Sequence, residues 1–364
     1  MSRFCHLHLH TQYSLLDGFS KIENLMDKVK ELGMDSVAIT DHGVMFGVVD
    51  FYKKAKKKGI NPIIGCEVYV SFRSRHDREN IDKKSYHLIL LAENNEGYQN
   101  LIKIVSAGFV EGFYYKPRVD YEILKKYSKG IIALSACLAG EIPQRLMEGK
   151  YPEAKLAAER LSELFGRDNF YLELQDHDIP EQARVNMYIQ KLSRETGIPM
   201  VATNDVHYLT KEDWKTHEIL MCIQTGKTLQ DEHRMEFKTN EFYLKSPDEM
   251  EDLFKGYEGA LENTVNIAPR CRVDFDSDTI HLPEYKVEDG KTPSEFLREL
   301  CYKGLKKRYP QPSQEVIDRL EFELGVIEKM GYVAYFLIVW EFIYYAKSND
   351  IMVGPGRGSA AGSI

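Results

Sequence analysis

The sequence predicts an α/β fold with its strands gathered into a barrel, and two observations carry this. Short runs rich in apolar, β-branched and aromatic residues recur, near-continuous rather than alternating, as in parallel strands covered on both faces. Amphipathic stretches of helical period lie between most of them, so the chain reads as seven successive βα units. An open sheet fits the same alternation, but seven units in a row favour a (β/α)7 barrel.

In order, the expected strands cover residues 3–10, 36–42, 62–70, 86–91, 130–136, 170–175 and 200–207. Helices are expected over 21–32, 45–58, 98–109, 154–165 and 181–195. After Leu209 the pattern changes to helices with one short extended piece at 241–244. Residues 274–286, with Ser, Asp, Pro and His, read as a connector, and 293–309, 313–330 and 333–346 read as helices. The last twelve residues, VGPGRGSAAGSI, form a Gly-rich turn. We therefore expect one domain over 1–275 and the helical start of a second over 276–364, cut within it.

Composition excludes several classes. No apolar run reaches ~18 residues, so no membrane span is expected, and the opening MSRFCHLHLH lacks a secretory signal core. Six cysteines without paired spacing fit a reducing cytoplasm rather than a disulfide framework. A net charge of −8 means that the surface as a whole is not built to hold nucleic acid, so any such contact must be local or made through bound metal.

In a parallel barrel the reactive groups sit at the C-terminal strand ends. Here those ends carry His8 and His10 (Asp17 follows), Asp41 and His42, Cys137, His177, and Asp205 and His207; the third strand contains Glu67 and the fourth begins at His87. Residues i and i+2 share a strand face, so His8 with His10, and Asp205 with His207, can each grip one ion. Imidazole, carboxylate and thiolate together suit zinc, manganese or iron better than calcium or magnesium. One such pair is weak evidence; recurrence on seven strands is strong.

These residues lie in HLHLHTQYSLLDG, TDHG, GCEVYV, SYHLILLA, SACLAGEI and TNDVHYL. In that order the segments resemble the PHP family, polymerase and histidinol phosphatase, in the form found in bacterial C-family replicative polymerases. GFYYKPRVD and ELQDHDIPEQ resemble further segments of that form, and VGPGRGSAAGS resembles the turn that opens its palm. The resemblance implies a distorted seven-stranded barrel with up to three divalent ions. His8, His10, Glu67 and Asp205 would hold the first; Glu67, His87 and Cys137 the second, with Glu67 bridging; Asp17, His42 and His207 the third. All nine positions carry chelating residues, which favours an active site. Asp17, Glu67, Asp205 and a Cys137 thiolate against three divalent ions leave the loaded site at about +2, attractive to phosphate on an acidic protein.

The expected chemistry is attack on a phosphoester by metal-bound water, with the 3′ end of DNA as leading substrate and pyrophosphate as another. Other expectations are less specific. Lys116 and Arg118 bind phosphates while Tyr114 or Tyr115 stacks on a base. His177 acts at the rim as acid or substrate contact, against a plain solvated loop. Asp41 orients a histidine from behind. Arg357, Gly358 and Ser359 receive a nucleotide triphosphate, with magnesium serving the full polymerase. The resemblance puts the polymerase carboxylates beyond this turn, so residues to Ile364 alone are not expected to extend a primer. It implies primer–template DNA, a sliding clamp, a clamp loader and possibly a separate exonuclease as partners. Two other readings are a silent, metal-stabilised scaffold that docks such an exonuclease, and a free-standing phosphatase of small monoesters, which the palm-like tail disfavours. GKT at Gly226–Thr228 and Gly290–Thr292 lacks the P-loop's earlier glycine.

Overall fold

The computed structural model describes residues 3–276, 279, 281–287, 290–356, 358 and 362–364. The chain divides into two compact units, Met1–Asp274 and Phe275–Ile364.

In the first unit the strands are β1 (Ser36–Ile39), β2 (Asn61–Ser71), β3 (Ser85–Ala92), β4 (Phe113–Tyr114), β5 (Lys116–Val119), β6 (Ile131–Leu134), β7 (Phe170–Leu174) and β8 (Met200–Ala202). Around them lie α1 (Ile22–Glu31), α2 (Val48–Lys57), α3 (Asn95–Val110), α4 (Tyr121–Lys126), α5 (Glu141–Met147), α6 (Tyr151–Phe165), α7 (Pro180–Thr196), α8 (Trp214–Thr225), α9 (Pro247–Leu253) and α10 (Glu262–Ile267). The helices are amphipathic: α1 buries Ile22, Leu25, Met26 and Val29, one stripe at i, i+3, i+4 and i+7. Burying four such side chains is worth roughly 6–12 kcal/mol before chain entropy is counted.

The sheet runs β4-β5-β2-β3-β6-β7-β8, with β1 also on β2. Residues 4–11 are extended and close it. On one side Ala38 N donates to His6 O (2.9 Å) and Thr40 N to Leu9 O (2.9 Å); on the other His10 N donates to Val206 O (2.7 Å) and Val206 N to His8 O (3.2 Å). The expected α/β barrel is present, but one strand direction differs. β3 is antiparallel to both β2 and β6. Residues 72–84 between β2 and β3 hold only a short 3-10 turn (Asn80–Lys83), and without a crossover helix the chain returns in the opposite direction.

The barrel interior is filled by Leu7, Ala38, Ile63, Ile89, Leu91, Ile132, Leu134, Tyr171 and Val201, with Ile267 of α10 packed against them. Side chains alternate along a strand, so Glu67, His87 and Glu173 stand on the same inward faces as Ile63, Ile89 and Tyr171. The apolar plug thus gives way to polar groups at one end, the mouth.

The second unit packs α11 (Pro293–Arg308), α12 (Gln314–Lys329) and α13 (Val333–Ser348) around Leu297, Leu305, Leu320, Leu324 and Leu337. A capping box between Thr292 and Glu295 starts α11. Among the described residues no helix is long and apolar enough to cross a membrane.

Candidate metal centre

The mouth brings all nine predicted chelating residues into one cluster. His8 Nε2 and His10 Nε2 lie 3.2 Å apart. Each is 3.1 Å from Asp205 Oδ1 and 3.6 Å from a Glu67 carboxylate oxygen. Zinc-type ligands sit ~2.0–2.1 Å from their ion, which puts tetrahedral ligand atoms ~3.4 Å from one another. His8 and His10 have that spacing with each other and with both carboxylates. Beside them His87 Nδ1 is 2.7 Å from Glu67 Oε1 and 3.8 Å from Cys137 Sγ. On the other flank His42 Nε2 is 2.9 Å from Asp17 Oδ2, and His207 Nε2 is 3.7 Å from Asp17 Oδ1. His42 Nδ1 turns to Glu67 Oε2, and the His42 ring stacks on His10 at 3.9 Å. His42 therefore belongs as much with Glu67 and His87 as with Asp17 and His207.

The donor set fits cations on grounds of hydrogen-bond capacity. His8 Nδ1 lies 2.7 Å from Glu173, and a carboxylate can only accept, so Nδ1 carries the proton and Nε2 is left facing inward. His10 Nδ1 donates to Ser14 Oγ (3.1 Å), whose own hydroxyl donates to Asp41 (2.9 Å), which leaves His10 Nε2 bare as well. Asp17 Oδ1, Glu67 Oε2 and Asp205 Oδ1 are buried without a hydrogen-bond partner. Acceptors converging on one another are stable only around positive charge. In the protein alone, protons serve. Burial opposes charge on His8, but Asp205 and Glu173 outweigh it and raise this ring to about 9. His10, buried beside His42 and His207, falls to about 3 and stays neutral. Burial likewise works against the Glu67 anion, yet His87 and His42 hold it ionised, well below the usual range. Burial, with Glu67 and Asp205, pushes the Cys137 thiol up, so a thiolate there needs a cation.

The backbone is bent where it presents these groups. Leu16, next to Asp17, and Ala136, next to Cys137, have φ of 61° and 62°, and Asp205 itself has φ 43°. Side chains other than glycine enter this region at roughly 1–3 kcal/mol each, and such strain collects at functional sites. Gly43, after His42, also has positive φ (64°), and a Cβ there would lie 2.9 Å from Tyr69 and Pro117. Only glycine lets the His42 loop approach so closely.

Residues 6–177 match the PHP domain family, and residues 295–364 match the bacterial DNA polymerase III alpha NTPase domain. The chain is 48% identical to DNA polymerase III subunit alpha of Borreliella burgdorferi, over 100% of this chain and 32% of that one. The chain belongs to the DNA polymerase III alpha family. The same subunit from Treponema pallidum is 47% identical, over 99% of this chain and 31% of that one, and that from Thermus aquaticus 40%, over 100% and 35%. The chain thus spans about a third of the length of the curated relatives it matches. A putative metal-dependent phosphoesterase from Bifidobacterium adolescentis overlays with a TM-score of 0.35 at 14% identity, covering 56% of this chain and 87% of that one, too distant for comparing sites.

Within this polymerase III alpha segment the supporting residues differ in part from expectation. Asp41 does stand behind the histidines, through Ser14 and through Thr11, whose N and Oγ1 donate to it at 2.6 and 2.8 Å. Lys116 is exposed, its Nζ 3.4 Å from the Tyr69 hydroxyl. Arg118 is no phosphate contact: fully buried, it donates to the carbonyls of Gly112 (3.1 Å), Asp82 (3.0 Å), Arg75 (3.0 Å) and Asp77 (2.8 Å). Its fork pins the 72–84 loop to the β4–β5 hairpin. His177 is not at the rim. It is buried against the Phe242 ring at 3.8 Å, donates from Nε2 to Asn204 O (2.9 Å) and accepts at Nδ1 from Gln182 (2.8 Å), so neither nitrogen is free for acid chemistry. Tyr114 is half-buried and Tyr115 exposed. Gly358 is exposed, while Arg357 and Ser359 lie outside the described residues.

Sequence reasoning missed three residues. Glu173 orients His8 and is held by Gln175 (2.9 Å) and Thr203 (2.5 Å); its signal was an acid inside the buried run FYLEL. His217 on α8 donates to Asp17 O at 2.7 Å. Buried Lys245 reaches Asn204 Oδ1 at 3.3 Å and steadies the bend before Asp205.

Proposed function

We propose that the first unit is a divalent-metal-dependent phosphoesterase within a bacterial replicative polymerase, with the 3′ end of DNA as substrate, a 3′→5′ exonuclease. The observation that supports it most is the set of buried, unpartnered acceptor atoms on Asp17, Glu67 and Asp205 facing bare imidazole nitrogens. His8, His10, Glu67 and Asp205 would hold one ion; His87 and Cys137 with Glu67, and Asp17, His42 and His207, would hold two more. Zinc, manganese or iron suits this mixture of nitrogen, oxygen and sulfur. Such ions supply neutralisation of phosphoryl oxygens and a water acidic enough to attack near neutral pH.

The chain's own residues do the rest. Glu173 and Ser14 fix the His8 and His10 tautomers so that Nε2 points inward. Asp41 fixes Ser14, and the bent backbone at Asp205 turns its carboxylate onto both rings. Lys116, beside the Tyr69 hydroxyl, offers positive charge to a phosphate entering the mouth. Residues 1–275 would form this domain and 276–364 the opening of a polymerase palm. Arg357, Gly358 and Ser359 would meet the triphosphate, with magnesium, primer–template DNA, clamp and clamp loader belonging to the longer protein. Cytoplasmic location follows from that role.

Purified protein is assayed on 3′-labelled DNA with manganese or zinc. His8→Ala and Asp205→Asn are each expected to lower turnover at least 100-fold. Activity that survives both changes assigns the hydrolysis elsewhere. A metal-loaded protein that hydrolyses neither DNA nor pyrophosphate, yet melts lower when stripped, favours the scaffold reading.

A further inference from the structure

Three phenylalanine rings stand at the barrel mouth without an internal role. Phe46, in the loop after His42, is 62% exposed, Phe113 on β4 is 51% exposed and Phe109 at the end of α3 is 39% exposed. They form a row: Phe46 to Phe109 is 6.5 Å between ring centres, and Phe109 to Phe113 is 6.2 Å. The row is joined to the chelating cluster through Pro117 and Tyr69. Gly43, beside His42, packs against Tyr69 and Pro117, while Gly108, beside Phe109, packs against Pro117. Tyr69 stands two residues beyond Glu67 on the same face of β2, its ring 6.3 Å from His42 and 5.3 Å from His87. Lys116 lies over the Tyr69 ring at 4.9 Å, and Lys83 over Tyr115 at 5.1 Å. The nearby acid Glu111 is already paired with Arg75 at 2.7 Å.

We propose that Phe46, Phe109 and Phe113 form a stacking platform for the unpaired bases of single-stranded DNA, with Lys116 and the Tyr69 hydroxyl holding the phosphate between platform and histidine cluster. It rests on the phosphoesterase reading and specifies its substrate: a frayed, single-stranded end rather than a paired one. Charge decides in favour of nucleic acid. On a chain of net charge −8, Lys116 lies over Tyr69, between the row and the histidines, and Lys83 over Tyr115 of the same hairpin, and stacking on flat rings tolerates any base. The platform also moves the stacking role expected of Tyr114 and Tyr115 to the phenylalanine row.

The test measures binding of a fluorescent oligo-dT to the whole chain by anisotropy, in EDTA so that nothing is cleaved. Phe46→Leu and Phe113→Leu keep the apolar bulk and remove the flat face. Each is expected to weaken binding about 5-fold or more. Lys116→Ala should flatten the slope of log affinity against log salt by about 0.7. Phe322→Leu, an exposed ring of the second unit, serves as control and leaves affinity unchanged. Leucine variants that melt like the parent and bind as tightly as it does overturn the proposal; a face serving a protein partner would give that result. Ring-dependent binding without hydrolysis in any metal leaves the platform standing and removes the phosphoesterase. Hydrolysis with ring-independent binding does the reverse.

Discussion

The mouth of the barrel and the frame around it both bury charged and titratable side chains, but they satisfy them in opposite ways. In the frame, Arg118 spends four of its five N–H donors, and His177 both ring nitrogens, on fixed protein partners. At the mouth, His8, His10, Glu67 and Asp205 each keep one atom facing other acceptors. Burial alone therefore does not separate a structural histidine from a ligand. The partner of its second nitrogen does. A frame residue should matter to folding and not to metal, and a mouth residue the reverse.

The largest effect should come from Arg118→Ala, which strands four carbonyls that now accept from one guanidinium. We expect a loss of roughly 3–5 kcal/mol in urea unfolding, little of it recovered by Arg118→Lys, since an ammonium lacks the fork. Metal bound per folded molecule should not change; if it does, frame and mouth are not separable.

Next comes acid. Burial lowers His177 to about 4, so between the unfolded value near 6.5 and that value the unfolded chain binds the extra proton. Stability from this group is complete above about pH 6.5 and is lost as pH falls toward 4, by roughly 3 kcal/mol in all. The slope of unfolding free energy against pH in that window should flatten in His177→Gln. An unchanged slope would mean that other groups set it.

Glu173→Gln keeps size but replaces the charged, acceptor-only carboxylate that orients His8 with a neutral amide carrying its own N–H donors. Metal affinity, read by competition with a chelator, should fall about 10- to 100-fold while unfolding of the stripped protein moves little. Ser14→Ala, which breaks the path from His10 to Asp41, should cost least, about 0.5–1.5 kcal/mol of the same affinity. If Glu173→Gln instead lowers stability and spares affinity, Glu173 belongs to the frame.

Much of the mouth was legible because chelating side chains interrupt apolar strands at regular places. The direction of β3 was also written there: five of the other expected strands carry their chelators at or toward their ends, and this one begins with His87. Running it backwards puts His87 at the mouth with the rest. Arg118 and His177 were misread because a guanidinium or imidazole in a polar loop looks the same whether carbonyls or solvent will surround it. That depends on how the 72–84 loop and the strand near Asn204 fold over them, which local sequence does not contain. Glu173 was hidden by its neighbours, since an acid within an apolar run announces burial but not its partner.

Closure of the barrel by residues 4–11 also imposes an order on its making. His8 and His10 are made about two hundred residues before Asp205 and Val206, their neighbours in the wall. At ~5–20 residues per second that is roughly 10–40 s during which the nascent chain carries half of a binding site with nothing to close against. The four side chains proposed for the first ion therefore come together only once Asp205 has been made, so the order of synthesis leaves His8 and His10 waiting on the far wall of the barrel.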